Sequence, residues 1–178
     1  MAMSAGRWVV GGGAVVVLVV TGAWVRGSTD VDAPLWTEIR PVIEARLAAD
    51  SAGEGPGQDT PALRARWFCR AEPLELEEHA GRVRAGIDAY CLEYGSRDGT
   101  LVECGGSHVP QVVRLRREPD GGFLVVAREE PPDGAGYAEW TRHTFGSRPV
   151  TAANSGTLAS EARTHFGLTA SAPVVQDC

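Results

Sequence analysis

Cys69 and Cys91 each lie in a run of alternating apolar and polar residues, "RWFCRAEPLEL" from Arg66 and "AGIDAYCLEYG" from Ala85. A period of two is the mark of a half-buried strand. Trp67, Cys69 and Ala71 share one face of the first strand. Val83, Ala85, Ile87, Ala89 and Cys91 form the apolar side of the second, with Arg82, Arg84 and Asp88 opposite. A hairpin that opposes Cys69 to Cys91 has its centre at Ala80, inside "EEHAGR". The register that joins the sulfurs is thus the one the turn selects independently. Opposed strand residues have Cα atoms about 4.5–5.5 Å apart, within disulfide range. Leu74 and Leu76 change parity after Ala71, which calls for a bulge near Pro73. Two buried free thiols or a metal pair are the alternatives, although no C-x-x-C or H-x-x-H partner motif exists. Cys104 and Cys178 are left as a possible second bridge, since four cysteines allow three pairings.

A cross-strand disulfide persists only in an oxidising compartment. The N-terminus points the same way. Arg7 and Arg26 bound 18 uncharged, mostly apolar residues, Trp8 to Val25. About 20 such residues cross a bilayer, and Trp8 and Trp24 stand where an aromatic belt would place them. The rival is a cleaved signal peptide, with Thr21-Gly22-Ala23 as its small-x-small site, but the apolar run continues past it. Residues 1–27 are read as a transmembrane anchor or signal segment, and the rest as a single-pass protein's domain outside the cytoplasm at the cell membrane. All 17 basic residues are Arg, against 23 Asp and Glu, for a net charge of -6. That balance argues against nucleic acid as a partner.

Residues 28–61 read as spacer, amphipathic helix and flexible loop. The helix is "PLWTEIRPVIEARLAAD", with Leu35, Trp36, Ile39, Val42, Ile43 and Leu47 at three- and four-residue steps. Pro41 is expected to kink or split it. Residues 62–146 read as an antiparallel sheet of four or five strands with a late helix. "SRDG" and "PDGG" mark turns. "TLVEC" and "QVVRLRRE" form one broken strand or two, interrupted by Gly105, Gly106 and Pro110. In the late helix "GYAEWTRHTFG", Tyr137, Trp140, Thr141 and Phe145 are expected toward the sheet, with Gly146 as the stop. Residues 147–178 are rich in Ser, Ala and Thr and are expected to form a loosely ordered tail, with "TLASEARTHFG" as a short helix in it. The fold class is α+β, a helix packed on a curved antiparallel sheet.

Several groups have the residue types for chemistry. Cys104 and His108 in "ECGGSH" have those of a thiol–imidazole pair, but no orienting Asn or Asp is placed by spacing. Glu103 with His108 has those of a metal pair. Glu129 and Glu130 are adjacent carboxylates, read as a solvated strand end. His79 falls in a turn, His143 on the late helix and His165 in the tail. Gly-rich phosphate loop, nucleophile elbow and zinc-protease motifs are absent from the sequence, so no catalytic, cofactor-binding or metal-binding residue is assigned. Trp36, Trp67 and Trp140 are candidates to line a ligand pocket between helix and sheet, with the plain core as the alternative.

The layout resembles the cystatin-like superfamily, including domains like nuclear transport factor 2. "WFC", the Cys91-Leu92-Glu93 triplet and "PPDGAGYAEWTRHTFG" also resemble uncharacterised exported actinobacterial proteins. The resemblance implies a long helix in the concave face of the sheet and a ligand-holding or scaffolding role, enzymes being a minority. The expectation is a membrane-tethered, non-enzymatic domain that binds an envelope protein or a small apolar ligand. The alternative is a small enzyme of that fold with acid/base residues in the sheet cleft.

Overall fold

The computed structural model describes residues 31–146, 155–176 and 178. The anchor expected over 1–27 lies outside the described residues, and none of the described helices is long and apolar enough to cross a membrane. The elements are α1 (Ala33–Asp50), two short 3-10 turns (Pro56–Asp59 and Pro61–Leu63), β1 (Arg66–His79), β2 (Arg82–Arg97), β3 (Thr100–Arg117), β4 (Phe123–Glu129), α2 (Gly136–Phe145), α3 (Ser155–His165) and β5 (Val174–Val175). The class is α+β, as expected. Strands β1 to β4 form an antiparallel meander in sequence order. The fifth strand is a correction: β5 comes from the tail and runs parallel to β3, so the sheet is mixed.

The β1–β2 hairpin follows the register read from the cysteines. Cys69 opposes Cys91, and the register shifts between Pro73 and Glu75, where the apolar parity changes. The shift leaves a two-residue turn, Ala80-Gly81, in which both residues have positive φ (49° and 72°). That is what a type I′ hairpin requires. Asp98-Gly99 turns β2 into β3 in the same way, with φ of 50° and 75°. β3 is one strand through Gly105, Gly106 and Pro110. Pro110 is tolerated because residues 103–111 of β3 pair only with β2: β5 takes positions 101–102 and β4 positions 112–117.

α1 buries Leu35, Ile39, Ile43 and Leu47, one per turn. Asp32 caps it, its Oδ1 accepting from the Leu35 amide at 2.9 Å. Of the kink or split expected at Pro41, the split is corrected: α1 runs as one helix through it. Its ring is on the exposed side, where water can serve the Thr37 carbonyl that loses its partner. α1 covers one face of the sheet, over Cys69, Ala71, Ala85, Ile87, Ala89, Cys91, Val113 and Val125.

The opposite face is covered too, where one helix layer was expected. α3 packs Leu158, Ala159 and Ala162 on Phe68, Leu92, Tyr94 and Leu101. α2 packs Phe145 on Leu74 and Val112. Gly86 makes room for that ring, since a Cβ there would lie 2.7 Å from Phe145 Cε1. Gly146 ends α2 as read, its amide donating to the Arg142 carbonyl at 2.9 Å, but Tyr137 points outward and is 38% exposed. The tail is more organised than its composition suggested. α3 is docked, and the Leu101 amide donates to the Pro173 carbonyl at 3.0 Å. Arg70, on the β1 edge, links the two layers through Glu44 of α1 at 3.3 Å and Glu161 of α3 at 2.6 Å.

Candidate functional site

All four cysteines are bridged, Cys69 to Cys91 and Cys104 to Cys178. The first joins strands whose Cα atoms are 4.1 Å apart, beneath α1. The second ties the chain's last residue to β3 beside β5, 74 positions away in sequence. Cys104 is therefore no nucleophile for His108. His108 faces Asp88 instead, with Nε2 2.8 Å from Oδ1, and its ring stands edge-on to Tyr90 at 5.4 Å. Asp88 is buried on the outer face of the sheet. Glu103 is committed elsewhere: it accepts from the Tyr94 hydroxyl at 3.2 Å and from Gln176 Nε2 at 2.9 Å. Burial first, then the Glu103 charge and hydrogen bond, push the Tyr94 phenol far above its ordinary value.

The three tryptophans are not gathered in one pocket. Trp36 and Trp67 pack at the margin of the core under α1. Trp140 packs edge-on against Phe145 at 5.6 Å, across the sheet from them. Trp67 has a second job that sequence did not suggest. Its indole N–H donates to the Glu54 carbonyl at 2.9 Å, holding the loop expected to be flexible. Glu93 completes that hold. Its side chain is fully buried and accepts from the Gly57 amide at 2.9 Å and Gln58 Nε2 at 3.1 Å. A Cβ at Gly55 would lie 2.5 Å from Glu93 Oε2, and one at Gly57 2.7 Å from Oε1. The glycines let the loop close on the carboxyl, whose oxygens serve the loop's own Gly57 amide and Gln58 side chain. This seat is structural.

The surface with unspent chemistry is the outer face of the sheet at its β1–β2 turn end, beyond the reach of α3. Arg82 and Arg84 of β2 directly oppose Arg116 and Arg114 of β3. They line a cleft of about 520 Å³ with Glu77, His79 and Val126. Like charges directly opposed across strands cost stability, roughly 0.2–1 kcal/mol per pair. Three of the arginines have carboxylate neighbours. Glu75 pairs with Arg84, Glu129 with Arg114, and Glu118 with Arg116 at 2.8 Å. The Arg114 hydrogen bond holds the Glu129 carboxyl below the ordinary carboxylate range. Glu130 accepts from Arg128 at 2.7 Å. Arg82 has no such partner among the described residues. The β3–β4 register runs from Arg114↔Ala127 to Leu115↔Val125, leaving Val126 as the extra residue of a bulge. A bulge re-aims its side chain, and Val126 is 53% exposed beside Leu124 at 46%.

Alternation in the sequence places Arg82 and Arg84 on one face but does not give their pairing with Arg116 and Arg114. The turn at Asp98-Gly99 alone would oppose Arg82 to Leu115 and Arg84 to Val113; the register shift between Glu93 and Tyr94 moves the pairing by one residue and brings the arginines together. Comparison of the chain with protein-family models, curated proteins and solved structures returns no match.

Proposed function

We propose that this is an extracytoplasmic domain of cystatin-like layout, tethered to the cell membrane by residues 8–25, that works by binding rather than catalysis. The arginine cleft is its binding face. The observation that carries the reading is the opposed arginine set, Arg82–Arg116 and Arg84–Arg114, on a part of the sheet that none of the described helices covers. Local rules broken without a packing gain mark functional sites. The two disulfides fit an oxidising location. The enzyme alternative would need ionisable groups in the cleft between α1 and the sheet. Ala85, Ile87, Ala89, Val113 and Val125 fill the middle of that space as core, and Glu44 at its β1 edge is taken up by the Ala71 amide and Arg70.

The test is photo-crosslinking in intact cells, with a photoreactive residue at Val126 in one version of the full chain and at His143 of α2 in another. The reading expects a discrete adduct from position 126 and none from 143. Absence of any adduct from 126, or the same adducts from both, contradicts it.

A further inference from the structure

We infer that the arginine cleft takes a small amphiphilic anion, one phosphate or carboxylate head bearing a short hydrocarbon part. This rests on the binding reading above and names its ligand class. Opposed strand positions lie about 5 Å apart and alternate positions along a strand about 7 Å apart. Four guanidinium stems planted on that grid can converge on one oxyanion head, and guanidinium forks suit phosphate and carboxylate oxygens. The volume of about 520 Å³ is that of a small-molecule site, which commonly measures about 300–1,000 Å³.

The carboxylates already there are weak competitors. Glu129 and Arg114 form a well-exposed surface pair, and Glu118, with its side chain 31% exposed, pairs with the exposed Arg116. Such pairs contribute little, so these arginines can turn to a ligand. Arg84 stays with Glu75, which is 9% exposed. Arg82 is already free among the described residues, and His79 stands opposite it. Among the described residues Glu77 is the one carboxylate in the lining, and it stands opposite Arg84, toward the β1 edge. The head therefore sits toward Arg82, Arg114 and Arg116. Its hydrocarbon lies over Val126 and Leu124, the exposed aliphatic pair next to them.

The surroundings speak against a planar or polymeric anion. Glu77, Glu118 and Glu129 stand beside the cleft, against Arg84, Arg116 and Arg114. A bilayer or nucleic acid laid across the cleft meets this acidic rim. A ligand small enough to enter does not.

The test uses the full chain in nanodiscs of neutral lipid, with hexyl phosphate, inorganic phosphate and hexanol as separate titrants followed by calorimetry. Hexyl phosphate is expected to saturate one site, inorganic phosphate to bind several-fold more weakly, and hexanol not to bind there. Arg82→Gln should weaken hexyl phosphate by about tenfold, the loss of one charge-assisted contact, and Arg82→Lys by less. The melting temperature of Arg82→Gln should not fall, because a like-charge pair is relieved. The inference is overturned by absence of saturable binding, by equal affinity in wild type and Arg82→Gln, or by phosphate binding as tightly as hexyl phosphate. It is also overturned if anionic phosphatidylglycerol nanodiscs bind the domain while hexyl phosphate does not. A protein adduct at Val126 without hexyl phosphate binding would overturn the ligand class and leave the binding reading standing.

Discussion

Glu93 and Gly57 are 36 residues apart in the chain and hydrogen-bonded in the fold, the Gly57 amide donating to Glu93 Oε2 at 2.9 Å. This contact turns a loop of Ser, Gly and Pro into part of the domain wall. In Gly57→Ala the new Cβ would lie 2.5 Å from Ala65 Cβ. The loop must then shift, at a cost of roughly 1–3 kcal/mol. Glu93→Leu removes the acceptor from the buried Gly57 amide and from Gln58 Nε2 and should cost about as much. Thermal melts and limited proteolysis check both: each variant should melt lower and be cut first within residues 51–61.

Ala80 holds φ of 49° at the first position of the β1–β2 turn. An L-residue with a Cβ is strained there by about 1 kcal/mol, and Asn-Gly is the preferred pair for this turn. Ala80→Asn should therefore raise stability by about 0.5–1 kcal/mol, or a few degrees in Tm. A melt of the variant beside wild type reads this directly.

Glu44 carries a pH dependence. Burial between α1 and β1 raises its pKa above the ordinary value, outweighing the Ala71 amide and the Arg70 guanidinium, which favour the charged form. The folded chain thus binds this proton more tightly than the unfolded one. The contribution is complete below the unfolded pKa and is lost as pH rises through the folded one. Glu44→Gln keeps an acceptor for the Ala71 amide, which lies 3.2 Å from Glu44 Oε1, and cannot ionise. Denaturant melts at a series of pH values should show the variant gaining on wild type as pH rises from about 4 to 7.

The Cys104–Cys178 bridge clamps β5 on β3. In the Cys104→Ala, Cys178→Ala variant, the hydrogen bond from Leu101 to the Pro173 carbonyl loses its clamp. Amide exchange at Leu101 should quicken well before that at Ala85 or Ile87, which lie in the buried core. Equal protection of Leu101 in both proteins would mean that packing alone holds β5.

What could be read in the sequence was what is local or periodic. Alternation around Cys69 and Cys91, the parity break at Leu74 and the Gly-bearing turns led to the β1–β2 register and its bulge. The spacing of Leu35, Ile39, Ile43 and Leu47 led to α1. What could not be read depends on contacts between distant segments. α3 buries only Leu158, Ala159 and Ala162, small or few apolar groups in a polar stretch, so its docking comes from tertiary packing rather than pattern. The Glu93 seat needs a loop 35 positions away. The arginine grid needs two strands placed in register. The separation of Trp140 from Trp36 and Trp67 is not legible, because aromatic content alone does not say which face of a sheet a later helix will cover.

The central claim is an exported, doubly stapled domain, and its most direct test is the redox state of the four cysteines in the native protein. Cys69 and Cys91 close a loop of 22 residues, for which the chain-entropy estimate is about 3 kcal/mol. Membranes should be isolated from cells, alkylated at once without reductant, digested and mapped by mass spectrometry. The account predicts linked peptides containing Cys69 with Cys91 and Cys104 with Cys178, and no alkylated cysteine. Alkylated Cys69 and Cys91 in the folded protein, or the four cysteines joined in another pairing, would contradict it.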